Sequence, residues 1–444
     1  MAVTITTTNT AISFLSLSHP KPRTLQWVCY PQKPRSQFVC CLSVDRPTYQ
    51  SASGQSESAA SGGGGSSLRV VFATRGTGGR IYPAVAIADE IKMTNPDAQI
   101  LFIGTDSGME SAIVPSAGYD FAPIPGSPLG RSIFCLETLT LPFYLVRSMV
   151  ESWKIIKEFK PQIVFGTGCS VSFPVCLVAA LNGLRVIIHE HGSVPGLANW
   201  ALSVLADLVF VAYNSTVDCF PTDKKKIVVT GNPLRLSLKK FVSKAVGRSY
   251  FFPRLGKVHD SDAKVVLVLG GSMGANSMNI ALLNFYQQML LERENLHIIW
   301  ETGVGSFDEM ENLVRNHPRL ILAPFLHAMD LAYAAADLVV SRAGAMTCTE
   351  LLATGKPAIL IPSPNVEEGH QFKNASLMAD LAGSNIITED ELDSCTLRYA
   401  IEDILDNEQL MTTMSERAFQ AAKPNAGAEI VEHLISLLNA SPKK

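Results

Sequence analysis

Twice in this 444-residue chain a buried-strand run ends in a glycine-rich turn and passes into a helix. Leu68–Thr74 (LRVVFAT) runs into Arg75-Gly76-Thr77-Gly78-Gly79-Arg80, and a helix is expected from about Tyr82 to Met93. Val265–Leu269 runs into Gly270-Gly271-Ser272-Met273-Gly274-Ala275, with a helix from about Asn276. That order restricts the chain to nucleotide-type α/β architecture, because glycine permits the tight turn and close backbone approach between strand and helix. One such turn says little about ligands, since a tight connection without a ligand reads the same. Two of them, one per half, set the frame of the molecule.

Further strand-like runs are expected at Gln99–Ile103, Gln162–Phe165, Arg185–Ile188 and Leu208–Val211, and again at His297–Trp300, Leu320–Leu322, Leu338–Ser341 and Ala358–Ile361. Helical patterns lie between them, which implies parallel sheets with right-handed crossovers. Asp218–Arg254 breaks the rhythm with Pro221, a Lys224-Lys225-Lys226 run and Gly231-Asn232-Pro233. The expected fold class is α/β: two doubly wound Rossmann-like domains facing a cleft. The first spans 68–235 and the second 264–444, joined by a linker at 236–263. Ligands of such sheets bind beyond the carboxyl ends of the strands, so both glycine turns should open into the cleft. Whether the last helix, about Ala426 to Leu438, packs back on the first domain is left open by the sequence.

Composition narrows the partners. A hydrophobic content of 47% and a charged content of 17% describe an ordinary globular protein. A formal net charge of -3 gives no reason to expect nucleic acid. The best spanning candidate, Phe134–Val146, is interrupted by Glu137 and Pro142, so a spanning helix is not expected. With Arg131 and Arg147 near its ends, Phe134–Met149 suits either an interfacial helix or an amphipathic core helix. Met1–Val44 lacks Asp and Glu, is rich in Ser and Thr, and carries Lys21, Arg23, Lys33 and Arg35. That is transit-peptide composition, and the Ser/Thr bias favours a chloroplast; a disordered tail with no address is the alternative. Residues 1–50 are therefore expected as a transit peptide and 51–67 as a flexible linker. The nine cysteines show no metal-ligand spacing and are expected as reduced thiols.

The densest functional stretch is Ser341–Ala375. It holds a strand end, the turn Ala343-Gly344-Ala345, an apolar helix carrying Glu350, a buried-strand run and a second helix start at Gly369-His370-Gln371. Free backbone N–H groups and the helix dipole make such a turn an anion site. A carboxylate one turn into the helix suits sugar hydroxyls. Arg235 at the domain junction suits bidentate phosphate binding or a surface ion pair, and Arg342 a strand-end site or a buried pair. His189-Glu190-His191 ends a strand at the cleft edge, where either histidine or Glu190 is a candidate base. Asp260-Ser261-Asp262 has the form of a metal-binding DxD but lies in a polar linker, and reads as solvated acidity.

The motifs GTGGRIYPAVAIA, HEHGSVPGLAN, VTGNPLR, GGSMGANSMN and SRAGAMTCTELLATGKPAILIP with HQFKNA resemble, in this order, the MurG family. These are two-domain GT-B glycosyltransferases that add N-acetylglucosamine from its UDP donor to a muramyl-pentapeptide polyprenyl diphosphate. The resemblance covers nearly all of Leu68 to about Ala440. It implies that Ser272 and Arg235 contact the donor diphosphate and that Phe325 and Leu326 lie against the uracil. Ala345, Met346 and Thr347 then present a helix N-terminus to the phosphates, Glu350 binds the ribose, and Gln371 with His370 holds the sugar. Thr77, Gly78, Gly79 and Asn199 join them as substrate-binding residues of the first domain. The implied reaction is an inverting displacement without a metal or other cofactor, on a polyprenyl-diphosphate or other lipid acceptor. Peripheral contact with a plastid membrane, inner envelope or thylakoid, goes with such an acceptor.

The departures concentrate in the first domain. The family's first loop reads GGTGGH, and Arg80 stands where its histidine, a candidate base, would be. Arginine is effectively always protonated and cannot take a proton. The second loop, usually GGYxSGP, is Gly168-Cys169-Ser170-Val171-Ser172-Phe173-Pro174, and the usual HEQN is His189-Glu190-His191-Gly192. The catalytic candidates are thus Glu190, His191 and Arg80. Three readings follow: a working MurG-like transferase, a UDP-sugar transferase acting on another lipid, and a nucleotide-sugar-binding protein without turnover.

Overall fold

The computed structural model describes residues 67–126, 136–253, 262–271, 274–364 and 369–440, with the backbone alone for 136–141. The expected leader and linker, Ser272, Met273 and the Asp260-Ser261 pair lie outside the described residues.

Two parallel sheets form. The first holds β1 (Arg69–Ala73), β2 (Gln99–Gly104), β3 (Asp120–Pro123), β4 (Ile163–Gly166), β5 (Arg185–Glu190), β6 (Leu208–Val211) and β7 (Ile227–Val229). Their order is β3-β2-β1-β4-β5-β6-β7. The second holds β8 (Lys264–Leu269), β9 (Leu296–Glu301), β10 (Leu320–Ala323), β11 (Leu338–Ser341), β12 (Ala358–Leu360) and β13 (Asn385–Ile386), in the order β10-β9-β8-β11-β12-β13. Every strand pairing is parallel. Strand order reverses between β1 and β4 and between β8 and β11, so the loops after these four strands flank the crevices where doubly wound folds bind ligands. They are the loops that hold RGTGGR, GCSVSFP, GGSMGA and RAGA.

Central strands are buried on both faces, which is why they read as continuous apolar runs. Val70, Val71, Phe72 and Ala73 are all fully buried. Phe72 stacks on Phe102, with centroids 5.0 Å apart, and lies 5.2 Å from Phe165. The first helix begins at Gly78, a turn ahead of the expected start at Tyr82, so Gly78, Gly79 and Arg80 are wound into it.

Two segments depart from a simple bead-on-bead order. In the linker, helix Lys244–Phe251 packs on helix Met329–Ala335 of the second domain. A β-carbon on Gly247 would stand 2.6 Å from the Leu331 carbonyl oxygen, so only glycine allows the approach. Arg248 and the backbone N–H of Val265 both donate to Asp337, each at 2.7 Å, which fastens the linker to β8. The last helix, Ala426–Asn439, inserts Ile430, Val431 and Leu434 into the core of the first domain beside Phe72 and Ile81. Its apolar face resolves the question the sequence left open.

Candidate functional site

Beyond β11, Gly344 caps helix Ala345–Thr354 in an extended conformation. The first-turn N–H groups of Ala345, Met346 and Thr347 therefore carry the positive end of the helix dipole. One turn further in, Glu350 is 3% exposed. Its Oε1 accepts from Arg235 Nε at 3.1 Å and Nη2 at 3.0 Å, and its Oε2 accepts from the Tyr333 hydroxyl at 3.0 Å. Burial works against the Arg235 charge, but the Glu350 carboxylate more than offsets it and raises the guanidinium pKa. Arg235 also lies 4.2 Å over the ring of Tyr82, a residue of the first glycine-loop helix. The two halves thus meet at this arginine. Arg342 takes its buried-pair role: it bonds Ile361 O, Ser277 Oγ and the Glu389 carboxylate.

Below the second glycine turn lies Glu301, at the end of β9 and 4% exposed. It accepts from the Leu326 N–H at 3.3 Å, and burial raises its carboxyl above the usual range. Leu326 is buried, while Phe325 is half-buried and meets His327 edge-on at 5.0 Å. Gly369, at φ 65°, starts the helix that carries His370 and Gln371, and Gln371 Oε1 accepts from Ser363 N at 2.9 Å.

The first-domain side is built differently. Arg75 reaches across to Ser170 Oγ at 2.9 Å, joining the loops after β1 and β4. Thr77 holds the N-cap position of the first helix, its carbonyl accepting from Arg80 N at 3.0 Å, and the Arg80 side chain is exposed. Gly78 and Gly79 follow in the first turn, and a β-carbon on Gly79 would come within 4.0 Å of Met346. Ser172 Oγ accepts from Thr167 N (3.1 Å) and Cys169 N (3.3 Å) and donates to Ala73 O (2.8 Å), closing the second loop. Gly168, at φ 75°, makes room for Asn199; a β-carbon there would lie 2.4 Å from Asn199 Nδ2.

At the end of β5, Glu190 Oε1 accepts from Gly192 N at 3.1 Å, and Oε2 from Gly196 N at 3.0 Å and Asn199 Nδ2 at 2.9 Å. This carboxylate shapes the 192–196 loop. His189 is fully buried with Nε2 3.1 Å from Gly231 O, and burial lowers its pKa to about 4. His191 is 5% exposed, its ring centroid 4.4 Å from that of His189. Burial, then His189, then Arg80 hold its imidazole well below the ordinary value. The next residues touch the other half: Ser193 N and Oγ donate to Asn374 Oδ1 at 3.1 and 2.9 Å. A β-carbon on Gly192 would lie 3.7 Å from His370 Nδ1. Among the described residues, no three His, Cys, Asp or Glu side chains gather as a metal site.

Sequence reasoning brought the right loops to the crevices but missed Tyr333, Glu301, Asn232 and Asn374. Glu301 had one readable signal, an acid ending an otherwise apolar strand next to the turn it supports.

Two facing doubly wound parallel domains with the site at both switch points define a GT-B glycosyltransferase. The chain matches the glycosyltransferase family 28 N-terminal domain over residues 70–211 and its C-terminal domain over 265–430. It is 41% identical over 374 residues to the UDP-N-acetylglucosamine--N-acetylmuramyl-(pentapeptide) pyrophosphoryl-undecaprenol N-acetylglucosamine transferase of Christiangramia forsetii, covering 84% of this chain and 98% of that relative. The Salinibacter ruber protein of the same name is 37% identical, covering 82% and 95%. The crystal structure of Acinetobacter baumannii MurG superposes with a TM-score of 0.64 at 27% identity, covering 83% of this chain and 99% of that one. The chain belongs to the MurG family of glycosyltransferases.

Proposed function

We propose that this protein transfers N-acetylglucosamine from UDP-N-acetylglucosamine to a lipid-linked muramyl-pentapeptide diphosphate, with inversion at the sugar C1. The carrying observation is the assembly beyond β11: a helix N-terminus without a side-chain cap, the buried Glu350 carboxylate further along the same helix, and the Arg235 guanidinium bound to that carboxylate. Bacterial relatives named for this activity match along almost their whole length, which supports the same donor and acceptor class.

In this mechanism the donor diphosphate lies against the N–H groups of Ala345–Thr347, and Arg235 swings from Glu350 to the phosphate oxygens. Glu350, so released, accepts from the ribose hydroxyls. The helix dipole and the guanidinium stabilise charge as the C1–O bond to the β-phosphate breaks. The acceptor hydroxyl comes from the first-domain side, past the loops after β1, β4 and β5. Arg75 and Arg80 at those loops favour a doubly anionic acceptor head group, and the altered loops support a second reading, in which another lipid takes the sugar.

The acceptor's lipid tail calls for a membrane surface. Phe143, Val146, Val150 and Trp153 recur at helical spacing along helix Leu136–Phe159, exposed by 69, 60, 46 and 44%. Arg147 and Lys154 stand exposed on the same helix, and Lys157 lies over the Trp153 ring. An apolar stripe with Arg147 and Lys157 beside it suits peripheral contact with anionic lipid, although Lys154 is paired with Glu151. No helix among the described residues is long and apolar enough to cross a membrane. The acid-free, Ser/Thr-rich leader supports a chloroplast address.

The test supplies labelled UDP-N-acetylglucosamine to the purified protein, with the muramyl-pentapeptide lipid or plastid lipids in anionic vesicles. A labelled muramyl lipid, with protein co-sedimenting at low salt, is expected. Transfer to a plastid lipid alone moves the reading to the second acceptor. Binding without transfer to any lipid sinks the transferase reading, and failure to co-sediment sinks the membrane contact. Residues 1–67 fused to a fluorescent protein should enter chloroplasts; cytosolic fluorescence overturns that address.

A further inference from the structure

Four buried polar atoms around the end of β5 have no protein partner: His189 Nδ1, His191 Nε2, Asn199 Oδ1 and Asn232 Oδ1. Only six such atoms occur among the described residues, so they are concentrated here. Interiors satisfy nearly all their buried polar atoms, so a cluster of orphans marks a place completed by something polar. Hydrogen bonds hold the cluster together. Asn199 Nδ2 donates to His189 O at 3.0 Å, and Asn232 Nδ2 donates both to His191 O at 3.0 Å and to Thr349 Oγ1 at 2.9 Å. Thr349 belongs to helix Ala345–Thr354, so one amide joins the histidine pair to the helix that faces the donor.

We infer that His191 is the catalytic base of the transfer, taking the acceptor proton at Nε2. The assignment rests on the transferase reading above. The other candidates are committed elsewhere. Glu190 spends its lone pairs on Gly192, Gly196 and Asn199, and taking a proton would release the 192–196 loop. His189 Nδ1 is also unpartnered, but that ring is 0% exposed against 5% for His191, and its Nε2 lies on Gly231 O. Arg80 is a permanent cation. His191 alone pairs an unpartnered ring nitrogen with a place one residue from Gly192, which lies against His370 of the second domain.

The step balances. The acceptor O–H proton moves to Nε2, the oxygen lone pair forms the bond to C1, and the electrons of the C1–O bond leave on UDP. The imidazolium then returns its proton to solvent. Burial, His189 and Arg80 keep the ring neutral before the reaction. Diphosphates arriving beside Arg80 offset its charge, so the ring gains proton affinity as the complex assembles.

The test compares wild type, His191→Gln, and the double variant Arg80→His/His191→Gln in the vesicle assay, with UDP-N-acetylglucosamine binding measured separately. General bases contribute roughly 10²- to 10⁴-fold, so kcat should fall at least ~100-fold in His191→Gln with donor Kd unchanged. The double variant, which moves the imidazole to the first glycine loop, should regain at least about tenfold of that loss. If His191→Gln does not fold, His191→Asn carries the same comparison. Undiminished turnover, an equal loss of donor binding, or no regain in the double variant overturns the base assignment while leaving the transferase reading intact. A wild type that turns over no lipid overturns the transferase reading itself, and the base with it.

Discussion

The two halves of the cleft differ in what their buried charges hold. At the centre of the second-domain side, charged side chains hold one another: Arg235 with Glu350, which also takes Tyr333, and Arg342 with Glu389 and Ser277, although Glu301 and Gln371 there hold backbone N–H groups. On the first-domain side the acids and Ser172 hold backbone: Glu190 grips Gly192 and Gly196, Ser172 grips Thr167 and Cys169, and Glu110 grips Thr105 and Gly76. Side-chain pairs can be exchanged for a ligand without moving the chain. Backbone fasteners fix loop shape, so changing a loop residue reshapes what the loop accepts. The first-domain loops are also where the sequence departs from the motifs it resembles, at Arg80, Cys169 and Gly192.

The sharpest way to break this comparison is Arg235→Ala. It strands the buried Glu350 carboxylate beside Tyr333, and breaking such a pair costs about 3 kcal/mol. Urea unfolding should show that loss, together with weakened UDP-N-acetylglucosamine binding; a loss below about 1 kcal/mol would mean the pair behaves as a solvated one. The next effect belongs to the first domain. His189 has its pKa lowered to about 4 by burial, against about 6.5 in the unfolded chain. Between these values the unfolded state binds more protons, so stability is lost as pH falls from 6.5 towards 4, by up to about 3 kcal/mol. Unfolding free energies at pH 7 and pH 4 should differ by that much less in His189→Gln than in wild type. An identical pH dependence would show that the ring titrates in the fold as it does in the unfolded chain. The smallest effect lies where the halves touch. Asn374→Ala removes the acceptor of Ser193 N and Oγ and the donor to Ala343 O. About 1–2 kcal/mol should be lost, with donor Kd nearly unchanged; a large loss of donor affinity would mean that this contact shapes the sugar site.

Much of the fold was legible because buried parallel strands are continuous apolar runs. The runs at Leu208–Val211 and Leu338–Ser341 coincide with β6 and β11. The strands passed over, β3, β7 and β13, are edge strands of four residues or fewer with incomplete burial, too short to show a period. The early start of the first helix was hidden by glycine's low helix propensity and by Pro83, which mimics a first-turn proline. At the site, glycine turns and terminal acids announce themselves locally. Tyr333 does not, since it reads as one more apolar position of its helix until Glu350, seventeen residues on, folds against its hydroxyl. Glu190 was legible as a cleft-edge acid, but its engagement by three N–H groups depends on a loop shape that spacing alone does not convey.

The last helix has a mechanical consequence. Because Ala426–Asn439 returns to the first domain, the chain passes between the domains twice, and the two passages touch. Lys423 Nζ donates to Val229 O at 3.0 Å, and a β-carbon on Gly231 would stand 2.9 Å from Lys423 Cβ. A single tether would let one lobe swivel freely on the other. Two adjacent, bonded crossings tie the lobes at one edge, so any rotation of one lobe on the other must keep Lys423 beside Val229 and Gly231 or break that contact.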